Sequence, residues 1–252
     1  MDLSPRARLT WCAHLFKSCL KQHHRELRPA LSKLIRSDSV ILDVGSHSGQ
    51  FAKLFARLAP EGHVYAFEPG SYALSILRPA LKFNRFRNVT VLPHGLGDAP
   101  AELRLSVPIK PSGSIGYGLS HVSAVNSGFD GQRRAGWKYN EESISISTID
   151  ALVADQRIDR VDFIKADIEG WEMRMLAGAE ATILRHHPSL MIEVVDEHLA
   201  RAGDSSDALF KLLTGFGYRA FKFDARLTKF VEITHPEDND IFFVTDEKTV
   251  AT

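Results

Sequence analysis

Short apolar runs alternate with helix-like segments in the first third of the chain, and this alternation constrains the fold more than any other sequence feature. The runs Val40–Val44, His63–Phe67 and Val89–Leu92 have the length and composition of buried parallel strands. Segments with helical periodicity follow the first two runs, at residues 51–58 and 72–84. This order predicts an α/β fold, a doubly wound and mostly parallel sheet with helices on both faces.

The same alternation returns in the second half of the chain. Residues 108–142 interrupt it, and because much of this segment is rich in Gly and Ser, we expect a long loop that faces the substrate. Two parts are therefore expected, a basic amphipathic helical segment over residues 1–36 and an α/β domain over residues 37–248. Apolar and polar residues alternate at residues 101–107 and 143–147, which predicts two half-buried strands. Later strands are expected at residues 161–165, 190–194, 218–223 and 241–244, and later helices at residues 173–184 and 205–213.

Composition excludes several classes of protein. The 252 residues are 44% hydrophobic and 25% charged, so the chain is neither disordered nor collagen-like. The formal net charge is zero, which argues against a general nucleic-acid-binding protein. Cys12 and Cys19 are too few for a disulfide framework or a zinc cluster and favour a reducing compartment. We find neither a membrane-spanning apolar run nor a signal peptide, and we expect a cytoplasmic protein of unspecified oligomeric state.

The first 36 residues are strongly basic, with eight Lys or Arg residues against Asp2 and Glu26. Apolar residues recur between the basic ones at helical spacing, as in Cys12, Leu15 and Cys19, which predicts one or two amphipathic helices. We interpret this segment as a helix packed on the domain with a solvated basic face. Peripheral contact with an anionic membrane surface is the alternative.

The turn after the first predicted strand favours a nucleoside ligand. Gly45 and Gly49 lie where a strand turns into a helix, and glycines there let the backbone approach a ligand closely. Glu68 ends the second predicted strand, where an acidic residue can accept hydrogen bonds from ribose hydroxyls. The turn lacks the G-x-G-x-x-G pattern of dinucleotide sites, and Asp43 would oppose a pyrophosphate. The pattern therefore favours S-adenosylmethionine over NAD.

A second group of polar residues follows the predicted strand at residues 161–165. Asp167 and Glu169 come directly after that strand and before a helix. Carboxylates at a buried strand end are costly unless they are paired or bind a ligand. Capping of the following helix is the alternative explanation for both residues.

Three sequence blocks resemble the FkbM-type family of S-adenosylmethionine-dependent methyltransferases. They are the turn at residues 43–49 (DVGSHSG), the strand end at 67–69 (FEP) and the block at 162–170 (DFIKADIEG). The segments at residues 147–150 and 175–179 are also similar to the family. The resemblance implies a class I methyltransferase with a seven-stranded, Rossmann-like, mostly parallel sheet closed by an antiparallel pair of strands.

The resemblance also implies which residues bind the cofactor. Glu68 would contact the ribose, and Asp167 would face the methionine part. His47 stands where the family commonly has Asn, which alters the local contacts. The turn, together with the segment near the adenine, would supply the remaining contacts, from Asp43, Gly45, Ser46, His47, Gly49, Leu96 and Asp98.

O-methylation is implied by the same resemblance, because the family's acceptors are mostly hydroxyls of sugars, glycolipids and polyketides. A hydroxyl must lose its proton during attack, so a general base is needed. Asp167 and Glu169 are the favoured bases, and Glu193, His94 and His121 are further candidates. The long loop would bind the acceptor through stacking and charge pairing, from His121, Arg133, Arg134, Trp137 and Tyr139.

Three alternatives remain open at this stage. The carboxylates of Asp167, Glu169, Glu193 and Asp196 could bind a divalent ion, but their spacing is not a metal signature and we do not favour a metal. An NAD-dependent enzyme that modifies nucleotide sugars would use the same type of sheet. A non-catalytic methyltransferase-like scaffold would instead bind partners through its basic N-terminal helices.

Overall fold

The computed structural model describes residues 5–111, 121–123, 136–237 and 239–246. These residues form two sheets with helices packed on the larger one. The strands are β1 (Val40–Val44), β2 (His63–Phe67), β3 (Val89–Leu92), β4 (Gly95–Leu96), β5 (Ala101–Ile109), β6 (His121–Ser123), β7 (Lys138–Ser147), β8 (Phe163–Ala166), β9 (Ser189–Val194), β10 (Tyr218–Asp224), β11 (Lys229–Ile233) and β12 (Asn239–Thr245).

Nine α-helices and one short 3-10 helix, Arg25–Leu27, occur among the described residues. None of these helices combines the length and the apolarity that crossing a membrane requires. The α-helices are α1 (Pro5–Leu20), α2 (Arg28–Leu34), α3 (Gln50–Leu58), α4 (Ser71–Phe83), α5 (Ile149–Asp155), α6 (Glu172–Ala177), α7 (Glu180–His186), α8 (Asp196–Ala202) and α9 (Ser206–Gly215).

The larger sheet has the strand order β11-β10-β12-β9-β8-β1-β2-β3. Strands β9, β8, β1, β2 and β3 pair parallel with one another. Strand β12 pairs antiparallel with both β9 and β10, and β11 pairs antiparallel with β10. This topology confirms the predicted mixed α/β sheet but not the strand count. The sheet has eight strands instead of seven, because Lys229–Ile233 folds back on β10 as a hairpin and adds an edge strand.

Successive residues of the central strands pack on opposite faces of this sheet, as the two-residue period of a strand requires. Leu42 and Ile164 contribute to the core under α6, α7, α8 and α9. Ile41 and Phe163 contribute to the core on the other face, under α2 and α3. Apolar residues therefore alternate between two cores and leave the carboxyl ends of the strands for polar groups.

A four-stranded second sheet, in the order β4-β7-β5-β6, corrects the prediction of a long loop over residues 108–142. Both ends of that segment belong to a ladder in which Ile109 pairs with Lys138 and Ala101 pairs with Ile146. The alternating residues 101–107 and 143–147 were expected to form strands. In the structure β5 continues to Ile109 and β7 begins at Lys138, so both strands extend into the segment that was expected to be a loop. Residues 112–120 and 124–135 lie outside the described part of the chain.

Close contact with the second sheet divides one predicted helix in two. The segment at residues 173–184 was expected to be continuous, but α6 ends before Gly178 and α7 begins at Glu180. A Cβ atom on Gly178 would lie 2.0 Å from the carbonyl oxygen of Gly97. The backbone of this junction packs against the β4 segment so closely that no side chain fits.

Helix α1 is attached to the domain through polar side chains. Trp11 Nε1 donates to Ser75 Oγ at 2.9 Å, and Ser18 Oγ donates to the Ser48 carbonyl at 2.7 Å. Lys53, which is 1% exposed, donates from α3 to the carbonyls of Ser18 and Lys21 at the end of α1. A cation at this position also stabilises the negative end of the helix dipole.

We predict that Lys53→Met loosens α1 without unfolding the sheet. The variant removes both charged hydrogen bonds at the end of α1, so the free energy that keeps this helix docked should fall by about 1–3 kcal/mol. Hydrogen exchange should become faster in α1 and stay unchanged in β1 and β8. The control is Lys211→Met, which changes an exposed lysine on α9. Unchanged exchange in α1 would show that Lys53 does not hold it.

Candidate active site

A cavity of about 370 Å³ opens at the carboxyl ends of β1, β2, β8 and β9. Ligands of open α/β sheets bind at this edge. The residues that were predicted from the sequence and that line the cavity are Gly45, Ser46, His47, Glu68, His94, Leu96, Asp167, Glu169 and Glu193.

The turn after β1 brings two strand ends into direct contact. Gly45 has φ +74°, and a Cβ atom on it would lie 2.0 Å from the carbonyl oxygen of Asp167. A residue with a side chain would therefore push β1 and β8 apart. The backbone N–H groups of Gly45 and Ser46 both donate to the carbonyl of Phe67, at 3.1 and 2.9 Å, which connects the turn to β2.

Glu68 lies at the end of β2 and organises the same turn. Its Oε2 accepts a hydrogen bond from the His47 backbone N–H, and its Oε1 accepts one from the Gly70 backbone N–H, both at 2.8 Å. Burial raises the pKa of Glu68 to about 7, although these two N–H groups oppose the shift. Each carboxylate oxygen keeps a further lone pair that can accept a ligand hydroxyl.

Lys165 is a buried cation between two carboxylates. Its Nζ lies 3.4 Å from Asp167 Oδ2 and 3.9 Å from Asp43 Oδ1, and the side chain is 2% exposed. The amine also donates to the carbonyls of Val44 and Gly45, at 3.3 and 3.1 Å. Burial alone would lower the pKa of Lys165, but the charges of Asp167 and Asp43 outweigh it and raise this pKa. The lysine therefore stays charged and connects β8 to the turn after β1.

Asp167 and Glu193 share a hydrogen bond and have opposite pKa shifts. Although burial opposes it, the positive charge of Lys165 and its hydrogen bond lower the pKa of Asp167. Burial, together with the charges of Asp167 and Glu169, raises the pKa of Glu193 to about 8. At neutral pH, Asp167 is ionised and Glu193 holds a proton that it shares with Asp167.

Glu169 faces the cavity from a strained turn. Its φ is +58°, and buried Glu172 holds this turn by accepting hydrogen bonds from the N–H groups of Ile168 (3.0 Å) and Gly170 (3.3 Å). Burial, with a further contribution from Asp167, raises the pKa of Glu169. The Nδ1 atom of His198 lies 3.4 Å from Glu169 Oε2 and can carry a proton away from it.

The close approach of His198 depends on Gly170. A Cβ atom on Gly170, whose φ is +105°, would lie 2.2 Å from the His198 carbonyl oxygen, so only glycine lets α8 pack against this turn. His198 Nδ1 also lies 3.8 Å from Glu193 Oε2. His198 thus contacts two acidic side chains of the cavity, although it does not itself line the cavity.

Negative charge dominates the polar lining of the cavity. Glu142 joins it from the second sheet, where its carboxylate accepts hydrogen bonds from the backbone and side chain of Ser71. Lys165 is the lining residue that contributes a permanent positive charge. Such a lining attracts a cationic ligand and repels a pyrophosphate. The acidic side chains of this lining are Glu68, Glu142, Asp167, Glu169 and Glu193.

Three predicted cofactor residues do not line the cavity. Asp43 is completely buried beneath it, beside Lys165, and burial raises the pKa of its carboxyl group. Gly49 is the residue before α3, where a Cβ atom would lie 2.5 Å from a methyl carbon of Leu77. Asp98 lies on the surface and pairs with Arg174 at 3.4 Å. Asp43 and Gly49 support the site from beneath the cavity, whereas Asp98 pairs with Arg174 at the surface and does not line it.

The predicted acceptor residues are less well placed. Trp137 and Tyr139 do not line the cavity: Trp137 has Lys110 Nζ at 5.9 Å from its ring centroid, and Tyr139 pairs with Pro108 in the second sheet. His121 belongs to β6, but its side chain lies outside the described part of the chain. Arg133 and Arg134 also lie outside the described residues.

Sequence reasoning missed several residues of the site. Lys165 could have been found from the sequence, because it is a lysine inside an otherwise apolar strand. His198 gave no local signal, because only the packing of α8 brings it close to Glu169. An apolar wall from the second sheet was missed as well. Alternation predicts that one face of β5 and β7 is buried, but it does not predict that this face lines the cavity. This wall comprises Leu105, Val107, Ile144 and Ile146.

Asp196, which was considered with the cavity carboxylates as a metal ligand, instead accepts hydrogen bonds from Ser206 at the surface. Within the described part of the chain, no three His, Cys, Asp or Glu residues are arranged to hold a metal ion.

Comparison with known proteins identifies related sequences. The family model of the methyltransferase FkbM domain matches residues 43–220. The 2-O-methyltransferase NoeI of Sinorhizobium fredii is 28% identical over 79% of this chain and 79% of its own length. The AMB antimetabolite synthetase AmbE of Pseudomonas aeruginosa is 28% identical over 72% of this chain, but the match spans only 10% of AmbE.

Solved structures show the same fold at low sequence identity. The methyltransferase FkbM from Methylobacillus flagellatus has a TM-score of 0.51 and 15% identity, over 94% of this chain and 58% of that chain. An O-methyltransferase from Bacillus cereus, solved in complex with SAH, has a TM-score of 0.51 and 14% identity, over 95% of this chain and 88% of that chain. At this level of identity the two structures support the fold alone.

We predict that Lys165→Met destabilises the protein strongly. The variant leaves the buried Asp43 carboxyl without its cation, which typically costs about 3–5 kcal/mol when a buried ion pair is broken from one side. Chemical denaturation measures the loss. The double variant Asp43→Asn/Lys165→Met should recover part of it, because the charge that needed a partner is then absent. Equal stability of Lys165→Met and the unmodified protein would contradict this role.

Proposed function

The chain belongs to the FkbM methyltransferase family, and we propose that it transfers a methyl group from S-adenosylmethionine to a hydroxyl group of a small acceptor. The acceptor class that we propose is a sugar-containing molecule such as an oligosaccharide or glycolipid, or a polyketide. We assign the reaction to an α/β domain over residues 37–248 and treat residues 1–36 as an attached helical segment.

The carboxylate-rich cavity at the ends of β1, β2, β8 and β9 is the observation that carries this proposal. S-adenosylmethionine would supply an activated methyl group on a positively charged sulfonium, and a cavity lined by five acidic side chains, among them ionised Asp167, suits such a cation. Glu68 has acceptor capacity left for the ribose hydroxyls, and the turn from Gly45 to His47 offers backbone close to the same position. We place the methionine part beside Asp167.

Glu169 is the residue that we assign as general base. Asp167 is a weak base because Lys165 keeps its pKa low, and Glu193 already holds a proton at neutral pH. Glu169 faces the cavity with a raised pKa, and a raised pKa makes its carboxylate a stronger base. It would accept the hydroxyl proton as the oxygen–methyl bond forms, and His198 would receive the proton from it.

Two further observations support a hydroxyl of a small molecule as the acceptor. NoeI, a relative that matches along most of both chains, is named as a 2-O-methyltransferase. The apolar wall of β5 and β7 lines the same cavity as the acidic side chains and can pack against a sugar ring or a polyketide. His121, Arg133, Arg134, Trp137 and Tyr139 stay predictions as acceptor residues.

Product analysis tests the proposed reaction. The purified chain is incubated with S-adenosylmethionine and a panel of oligosaccharides, glycolipids and polyketides, with matched amine acceptors beside them. The expected result is acceptor-dependent release of S-adenosylhomocysteine together with a mass gain of one CH2 group at a hydroxyl oxygen, located by NMR. Methylation confined to amines would contradict O-methylation, and tight cofactor binding without transfer to any acceptor would favour the scaffold.

Glu68→Gln is expected to weaken binding of S-adenosylhomocysteine by about 10- to 100-fold, since a hydrogen bond to a charged group contributes roughly 1.5–3 kcal/mol. Equilibrium dialysis with labelled ligand measures the affinity, and circular dichroism checks that the variant folds. Glu102→Gln is the matched control, because this exposed glutamate accepts hydrogen bonds only from Ser143 and Ser145 among the contacts described. Equal affinity of both variants would reject the ribose contact.

Glu169→Gln is expected to lower kcat by about 10²- to 10⁴-fold and to leave cofactor affinity nearly unchanged. In the unmodified protein, kcat should rise with pH as Glu169 loses its proton, because its pKa is raised and only the ionised form accepts a proton. This rise should disappear in Glu169→Gln.

The controls separate the base from its neighbours. Glu197→Gln, an exposed change on α8, should keep the pH profile. Glu193→Gln should be less damaging than Glu169→Gln, because Glu193 is already neutral below about pH 8. A larger loss in Glu193→Gln than in Glu169→Gln would transfer the role of base to Glu193.

A further inference from the structure

Helix α1 (Pro5–Leu20) packs on the domain through polar side chains as well as apolar ones. Trp11 and Ser18 make hydrogen bonds to Ser75 and to the Ser48 carbonyl, and His14 Nδ1 lies 3.1 Å from the hydroxyl of Tyr72. An ordinary surface helix buries its apolar stripe and exposes its polar face. In α1, Ala7 is buried and Trp11 is partly buried, but the larger apolar residues Leu9, Phe16 and Leu20 remain on the outside.

The outer face of α1 carries a continuous apolar stripe. Leu9 is 73% exposed, Phe16 is 68% exposed and Leu20 is 55% exposed. These residues are seven and four positions apart, which places them on one side of the helix. Cys12 and Ala13, also exposed, fill the same stripe between Leu9 and Phe16. Isolated exposed leucines are common in proteins, but a row along one helix indicates an interaction surface.

Basic residues border the stripe. Arg6 and Lys17 follow one edge of it and Arg8 the other, by their helical positions, and all three are exposed. Lys21 and Arg25 continue this charge beyond the helix, and no acidic residue occurs from Arg6 through Arg25. A surface that combines an apolar stripe with basic residues on both of its edges suits an occupant that is apolar and anionic at once.

We propose that the outer face of α1 docks on the surface of an anionic lipid bilayer. Helices that lie in the membrane interface have this design, in which apolar side chains enter the boundary of headgroups and acyl chains while Lys and Arg contact anionic headgroups. A second copy of the chain is a poorer occupant, because a two-fold contact through α1 would bring the same basic border onto itself.

Docking through α1 would hold the candidate active site close to the lipid surface. Ser48 and Tyr72, which the inner face of α1 contacts, both line the cavity. The helix is therefore the layer, about 10–12 Å thick, between the proposed membrane surface and this side of the site. If the proposed methyl transfer is correct, an acceptor attached to a lipid would fit this arrangement.

Vesicle flotation tests the docking without any methyl transfer, so its outcome is independent of the proposed reaction. The full chain is mixed with vesicles of phosphatidylcholine alone and with vesicles of equal parts phosphatidylcholine and phosphatidylglycerol. We expect flotation only with the anionic vesicles at low salt, and a strong decrease near molar salt, where charges are screened. Equal flotation with both vesicles, or none with the anionic ones, would overturn the proposal.

Two pairs of substitutions locate the contact. Leu9→Gln/Phe16→Gln should weaken partitioning to anionic vesicles by about tenfold or more, since it removes the apolar side chains and keeps good helix formers. The control is Leu227→Gln, which changes a leucine that is 62% exposed in the turn between β10 and β11. Equal binding by the double variant and the control would overturn the proposal.

Arg6→Gln/Lys17→Gln keeps the test decisive if the first pair disturbs α1, because it leaves every apolar side chain in place. It should weaken anionic binding by about tenfold at low salt and have little effect near molar salt. Sedimentation velocity without vesicles tests whether a second copy of the chain binds to this face. Self-association that is lost in Leu9→Gln/Phe16→Gln, in a chain that does not bind vesicles, would assign this face to a second copy instead.

Discussion

The Lys165 ammonium group is the interaction on which the rest of the site depends. It is buried at the end of β8, within ion-pair distance of Asp43 and Asp167, and it donates to the carbonyls of Val44 and Gly45. The same charge keeps Asp167 ionised, and ionised Asp167 in turn helps keep a proton on Glu193. One buried cation thus fixes the geometry of two strand ends and sets the protonation of the neighbouring carboxylates.

Around this cation, three backbone contacts assemble the cavity from separate parts of the chain. Gly45 lets the turn after β1 touch the backbone of Asp167, and Gly170 lets α8 bring His198 toward Glu169. Glu68 then fixes the turn from the other side through the N–H groups of His47 and Gly70. The resulting lining is acidic, and its neighbouring carboxyl groups differ in protonation. At neutral pH Asp167 is ionised, whereas Glu193 holds a proton.

Much of this arrangement could be predicted from local sequence, and the remainder depends on contacts between distant segments. Asp167, Glu169 and Glu193 were expected together because parallel strands end at the same edge of a sheet. The approach of His198 could not be predicted, since it requires α8 to pack on Gly170. The wall of β5 and β7 was missed because alternation marks a strand without identifying its neighbour. The edge strand β11 was not predicted at all, since it forms by pairing with β10.

Calorimetric titration of the unmodified chain tests the central claim most directly, that the carboxylate-rich cavity is a site for S-adenosylmethionine. S-adenosylmethionine, S-adenosylhomocysteine and NAD are titrated side by side under identical conditions. The account predicts saturable binding of both sulfur compounds, and no heat with NAD because the carboxylates repel its pyrophosphate. Binding of NAD, or the absence of binding by both sulfur compounds, would contradict it.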